Sequence, residues 1–361
     1  MRLLSLYRSS LYSTRGTPLR VKNIVDHLAG DSRIELYTAT WDQNFENSKK
    51  HLYLDNNHLK DIFQLIKFVK KYQIEVLIGH TIASAYYLIP LKYLCRTKIM
   101  LEMHGFIEEE EYLYGSMSKA RYMMQKFFFN NLYRFFDSIT TCSETATMYI
   151  SKYNKNVVTV YGGVDTDMFT PLPHKSDDAK IVIGYAGNAR KWQGLDFLLD
   201  AVRELHAKDP RFILKILISE SKYVLPEWAH SFASLDGPVS HEMVPAFLST
   251  CDMLVIPRLQ NTVNTLSFPS KLPEFMAMGI PIIASRTSDC HRIISDGTDG
   301  LLFDPGDAEG LMRNIRILAD PEVRTKIGRA ARDKTVTQYT MKKQMDLIVA
   351  RLLLFETKAA M

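Results

Sequence analysis

Short apolar runs and helical patterns alternate along this chain, and they do so twice. "RLLSLY" precedes a helical pattern around 18–28 and then "RIELYTAT". "IEVLIGH" precedes a helix near 83–94 and then "KIMLEMHG"; "SITTCS" precedes "ETATMYISKY". The strand runs are apolar at nearly every position rather than every second one, so both of their faces should be covered. That is the mark of a parallel sheet with helices on each side. The stretch 156–180, "NVVTVYGGVDTDMFTPLPHKSDDAK", breaks the pattern with Gly, Pro and Asp and reads as an interdomain linker. Alternation then resumes: "KIVIGYAG", a helix near 195–207, "FILKILIS", a helix over 241–250, "MLVIP", a helix at 271–278, "PIIAS". The expected fold class is α/β, with two doubly wound, Rossmann-like parallel-sheet domains facing a central cleft. The expected boundaries are 1–165, a linker at 166–180, a second domain at 181–340, and a final helix in 341–361 packing back on the first domain.

At 361 residues, 46% hydrophobic and 24% charged, the chain can build two cores. Cys95, Cys142, Cys251 and Cys290 show no paired spacing, which argues against a disulfide framework or a zinc site and fits a reducing cytoplasm. No apolar run approaches the ~18 residues of a membrane span. The start, "MRLLSLYRSS", is interrupted by Arg8 and reads as a strand rather than a leader. A net charge of +5 permits anionic ligands or lipids without demanding nucleic acid, and no nucleic-acid partner is expected. No GxGxxG follows the first strand, which argues against a nicotinamide enzyme.

"SFPSKLPEFMAMGIPIIAS", 267–285, carries the chemistry. It follows the strand "DMLVIP" and opens a helix at the strands' carboxyl ends. Ser267 and Ser270 suit its N-cap, Pro273 must lie in its first turn, and Gly279 suits its end. Glu274 is either a first-turn acid favoured by the helix dipole or a carboxylate for a ribose diol, beside amides that hold a diphosphate.

These segments together resemble the retaining nucleotide-sugar glycosyltransferases of family 4, which have the GT-B fold. The resemblance rests on "PSKLPEFMAMGIPIIAS…DGTDGLLFDPGD", "GYAGNARKWQGLDFLLDAV", "DGPVSHEMVPAFLSTCDMLVIP", "SITTCSETATMYI" and "YGGVDTDMF". It implies that Glu274 binds the donor ribose and that Arg190 and Lys191 meet the donor diphosphate. It gives Lys271 and Ser270 a place at the same phosphates, Gly16 and Gly187 a close backbone approach to the donor, and His104 a place facing the transferred sugar. The family's motif has two Glu separated by seven residues; Glu274 matches the second, and the first should stand at 266, where this chain has Leu266, so that Asn264, Thr265 or a backbone group could replace it. The implied reaction is a metal-free front-face transfer with retained configuration and no cofactor beyond the nucleotide diphosphate sugar, in a cleft that closes to exclude water. "Asp165-Thr166-Asp167" mimics a metal-binding acid pair, but it follows Gly162-Gly163 near the linker, so metal binding is not expected. A non-catalytic GT-B subunit and a GT-B nucleotide-sugar epimerase remain open alternatives.

"KARYMMQKFFFNNLYRFF", 119–136, reads as a helix with Lys119, Lys126 and Arg134 along one side and Met124, Phe127, Phe128 and Tyr133 around them. It is either a core helix with a basic solvent stripe or a surface that meets anionic membrane. The second reading implies a glycan or lipid-linked acceptor and a cytoplasmic protein peripheral on the inner face of a membrane. "EEEE", 108–111, is expected in a mobile loop beside the acceptor.

Overall fold

The computed structural model describes residues 1–7, 16–41, 51–173 and 179–357. It divides into two compact units, Met1–Tyr161 with Lys342–Met361, and Gly162–Met341. The first holds a seven-stranded sheet in the order β3-β2-β1-β4-β5-β6-β7. Its strands are β1 (Arg2–Tyr7), β2 (Glu35–Thr40), β3 (His51–Tyr53), β4 (Val76–His80), β5 (Lys98–Met103), β6 (Ser138–Thr141) and β7 (Val157–Thr159). The second holds a six-stranded sheet, β10-β9-β8-β11-β12-β13. Its strands are β8 (Ile181–Gly187), β9 (Phe212–Ile218), β10 (Ala233–Asp236), β11 (Met253–Ile256), β12 (Ile282–Ser285) and β13 (Leu301–Phe303). Every pairing is parallel. The central strands are buried on both faces, as β4 and β11 are throughout, which is why their sequences do not alternate.

The first unit's border falls at Tyr161, four residues before the end expected from composition. The residues that follow are held by the second unit: Val164 bridges Thr340, and buried Phe169 lies 5.3 Å from the His241 ring. Asp165 is part of this turn, its carboxylate accepting from the backbone amides of Asp167 and Met168. The last helix, Met341–Thr357, buries Met345, Ile348 and Leu352 in the first unit, and its Arg351 Nε donates to Ser138 Oγ at 2.6 Å.

The acidic run is not a loop. Residues Ile107–Leu113 form a helix, with Glu108 and Glu109 buried. Glu109 accepts from Lys126 Nζ at 2.5 Å and from Tyr122 Oη at 2.9 Å. Neither carboxyl oxygen of Glu108 has a hydrogen-bond partner. Burial pushes Glu108 up to about 7; the Glu109 and Glu110 charges add to this, and Lys126 opposes it. The folded chain therefore keeps a proton that an unfolded chain, with a carboxyl near 4.5, has released. Stability of the first unit should fall as pH rises between those values and then level off. Glu108→Gln should remove that fall and be more stable than wild type by up to about 3 kcal/mol at about pH 8. Urea unfolding across this range checks it; identical pH slopes for both chains would contradict it.

Candidate functional site

In the second unit the strand order reverses between β8 and β11, and ligands of open α/β sheets lie beyond the carboxyl ends at such a point. Two segments leave from there, 188–194 after β8 and 257–270 after β11. They are stitched together. Gly194, at φ +77°, lies so close to Pro257 that a Cβ would stand 1.8 Å from its carbonyl oxygen. Leu259 N donates to Trp192 O at 3.1 Å, and Asn264 Nδ2 donates to Trp192 O and Leu259 O, both at 2.7 Å.

Lys271 opens the helix Lys271–Ala277. Its Nζ donates to Ala186 O at 2.8 Å and sits 4.7 Å above the Tyr185 ring. Gly187 makes this possible, because a Cβ there would lie 2.5 Å from the ammonium. Removal from water, with the Arg258 charge, pushes Lys271 down to about 7 against the pull of Glu274. Glu274, one turn on, accepts from His241 Nε2 at 3.1 Å. That bond raises His241, with the charges of Glu274, Glu242 and Asp165 acting in the same direction and burial against them. Glu274 and His241 each keep about a fifth of their side-chain surface open. A half-buried cation and a half-buried carboxylate thus stand together at the end of β8.

Other residues singled out in the sequence fall differently. Ser270 is exposed in helical conformation and makes no capping hydrogen bond, and Ser267 Oγ accepts from Arg258 Nη1 at 3.3 Å, so neither side chain caps the helix. Arg190 and Lys191 are exposed on the loop beyond β8, with the Arg190 guanidinium 5.3 Å from the Trp192 ring centre. Leu266 is buried. Asn264 Nδ2 stitches the loop while its Oδ1 is buried without a hydrogen-bond partner, and Thr265 Oγ1 donates to Asn261 O.

In the first unit the order reverses between β1 and β4. The loop after β1 lies outside the described residues; Gly16, placed in that loop by the sequence, is the first residue of the helix Gly16–Gly30. Thr81, just past β4, has φ +73°, a strained value for a β-branched residue. Beyond β5 comes His104, whose Nε2 lies 2.5 Å from Glu102 Oε2. His80 Nδ1 is 3.6 Å from the same oxygen, and His80 Nε2 is 3.1 Å from Ser5 Oγ. Arg20 Nε donates to Glu102 Oε1 at 2.8 Å, and its Nη2 to Val160 O at 2.9 Å. Burial alone would raise Glu102, but its interactions with His104 and Arg20 hold it well below the usual range. Burial lowers His104 against the pull of Glu102. The ligand atoms of His80, Glu102 and His104 lie within 4.8 Å of one another, as a cation's would. Two donors of one tetrahedral zinc stand about 3.3 Å apart, whereas His104 Nε2 and Glu102 Oε2 approach to 2.5 Å as an ion-pair contact, with neither atom in an aligned hydrogen bond.

The helix Lys119–Leu132 is followed by a 3-10 turn, Tyr133–Phe135. Lys126 does not belong to an open basic stripe, since it is bound to buried Glu109; Lys119, Arg121 and Arg134 are exposed. Met123, Met124 and Phe127 are each more than half exposed, and Phe128 stacks on Tyr86. No helix among the described residues is long and apolar enough to cross a membrane.

Sequence reading missed Arg20, His80, Glu102, His241 and Arg258. Only Glu102 left a signal, standing two residues before His104 and therefore on the same side of the strand line.

Residues 16–168 match the family profile Glycosyltransferase Family 4, and residues 180–320 match Glycosyl transferases group 1. An uncharacterised glycosyltransferase of Methanocaldococcus jannaschii is 25% identical over 340 residues, 87% of each chain. A D-inositol 3-phosphate glycosyltransferase of Corynebacterium aurimucosum is 24% identical over 216 residues, 54% of this chain and 51% of that one. Among solved structures, sucrose-phosphate synthase of Thermosynechococcus elongatus superposes with a TM-score of 0.76 at 17% identity, covering 100% of both chains. Anabaena HepE in complex with UDP superposes with a TM-score of 0.75 at 14% identity, covering 98% of this chain and 99% of that one. With both halves matched and two parallel α/β units of the GT-B kind, the chain belongs to the family 4 glycosyltransferases.

Proposed function

We propose that the chain takes a sugar from a nucleotide diphosphate sugar and transfers it, with retained configuration and without a metal, to a glycan or lipid-linked acceptor. The observation that carries the reading is the grouping of Gly187, Lys271 and Glu274 at the end of β8. A half-buried ammonium suits a diphosphate, and a carboxylate one turn away suits a ribose diol. Arg190 and Lys191, on the loop beyond β8, would add mobile positive charge to the leaving diphosphate. His104 would meet the transferred sugar. The bond between the anomeric carbon and the diphosphate oxygen breaks, the acceptor oxygen bonds to the same face, and its proton passes to the departing phosphate oxygen.

Solved neighbours hold UDP and UDP-glucose, so uridine nucleotides are the first probes. Glu274→Gln should bind UDP, or whichever nucleoside diphosphate the wild type prefers, about 10- to 100-fold more weakly, the scale of a charge-assisted hydrogen bond. Calorimetric titration of both chains decides; equal affinities remove Glu274 from the ribose. A second reading, a non-catalytic subunit that binds a nucleotide sugar or partner enzyme, is favoured by the buried Leu266 where the family's motif has an acid.

For the acceptor, the exposed Met123, Met124 and Phe127 beside Lys119, Arg121 and Arg134 favour peripheral contact of a cytoplasmic protein with an anionic membrane. Wild type should co-sediment with anionic vesicles at low salt and less at high salt, and Met124→Ser/Phe127→Ser should lose this binding. Lys126 is left intact because it neutralises Glu109. Equal binding by the double variant would leave this helix as an ordinary solvated face.

A further inference from the structure

Around His104 the first unit keeps a buried polar cluster whose other members the reaction above does not use. Glu102 is fully buried, and the side chain of His104 is 3% exposed. The two oxygens of Glu102 face different partners. Oε1 takes the Arg20 guanidinium, and Oε2 faces His104 Nε2 and, farther off, His80 Nδ1. Both ring nitrogens of His104 are buried without an aligned hydrogen bond, and it is Nε2 that lies 2.5 Å from Glu102 Oε2. His80 Nε2 is engaged by Ser5 Oγ, and Tyr7 packs edge-on against the His80 ring. Arg20, His80 and His104 are therefore the ionisable groups placed around Glu102, from the first helix, β4 and the end of β5.

We propose that Glu102 is a positioning residue that fixes the tautomer of His104, holding the proton on Nε2 and leaving Nδ1 as an acceptor for a hydroxyl of the transferred sugar. A carboxylate is acceptor-only and an imidazole must then donate to it, so the far nitrogen keeps its lone pair. Arg20 makes the arrangement directional. A guanidinium only donates, so the atom at the Oε1 position must be an oxygen. In Glu102→Gln the amide NH₂ is thereby forced to the Oε2 position, where it donates. His104 Nε2 must then accept, and its proton moves to Nδ1. One isosteric change thus inverts the tautomer while the cluster stays filled. The assignment rests on the reading that His104 faces the sugar.

The test uses the full chain labelled with ¹⁵N-histidine and long-range proton–nitrogen correlation of the imidazoles, with His104→Asn giving the assignment. Wild type should show the Nε2–H tautomer and Glu102→Gln the Nδ1–H tautomer. An Nδ1–H wild type, a doubly protonated ring near neutral pH, or an unchanged tautomer in the variant overturns the proposal. If Glu102→Gln fails to fold, the wild-type tautomer alone still decides. The consequence for transfer is read with UDP-glucose or any other accepted donor. Glu102→Gln should lower kcat about 10- to 100-fold, the scale of one lost hydrogen bond to the sugar and less than the roughly 10⁴-fold loss when a wrong-tautomer histidine is itself the general base, while donor KM and UDP affinity change less than about threefold, because the cluster belongs to the sugar and not to the diphosphate. Unchanged kcat with an inverted tautomer overturns the acceptor role of Nδ1. A chain that shows the expected tautomers but binds no nucleotide contradicts the donor reading and leaves the pairing of Glu102 with His104 standing.

Discussion

Gly194→Ala should unfold the second unit at temperatures where the wild-type chain is folded. Gly194 has φ +77°, a conformation that costs an L-residue with a side chain about 1–2 kcal/mol. The added Cβ would also stand 1.8 Å from the carbonyl oxygen of Pro257, and 2.8 Å from its carbon. This obstacle is backbone and cannot swing aside as a long side chain would. The loops after β8 and β11 would have to separate, losing the Leu259-to-Trp192 and Asn264-to-Trp192 hydrogen bonds. The combined cost should exceed about 4 kcal/mol, a large share of the ~5–15 kcal/mol that holds a domain together. Gly297→Ala is the control, with φ +78° and nothing within 4 Å of its added Cβ, so it carries the conformational cost alone. Thermal unfolding of the two variants should differ widely; equal midpoints would mean the contact with Pro257 is not held in solution.

Lys271→Met should weaken nucleoside diphosphate binding about 100-fold at neutral pH, the effect of removing a charge-assisted contact from a site shielded from water. It should also flatten the pH dependence. In the free chain Lys271 titrates at about 7 because burial and Arg258 disfavour its charge. A diphosphate binds the ammonium form, so wild-type affinity should fall roughly tenfold per pH unit above that value. The methionine variant has no such proton to lose and should show no such slope. Calorimetry across that pH range reads both effects, and a thermal midpoint no lower than wild type shows that the fold survives. A variant that binds as tightly as wild type would take Lys271 off the diphosphate.

The strands and the double alternation were legible because parallel strands buried on both faces write their state into consecutive residues, as in β4 and β11. Glu274 could be singled out from its place in the local pattern, and Lys271 and Gly187 from the resemblance of their segments to the family. Their working partners could not. His241 meets Glu274 from 33 residues away, and Arg20 meets Glu102 from 82 residues away, pairings that only the folded sheets create. The acidic run misled for a related reason. Four successive glutamates look solvated, yet Glu109 is neutralised by Lys126, 17 residues on, and Glu108 is buried. The same ion pair removed Lys126 from the basic stripe that helical periodicity had drawn.

The stereochemistry of turnover tests the central reading most directly. The full chain is incubated in EDTA with UDP-glucose and a panel of other nucleotide sugars, and anomeric proton signals are followed as the nucleoside diphosphate is released. The expected result is release that persists in EDTA and depends on Glu274 and Lys271, with an α-configured donor giving an α-configured first product. A β-configured first product, restoration of release only by added Mn²⁺, or no release from any donor beyond that of Glu274→Gln would contradict it.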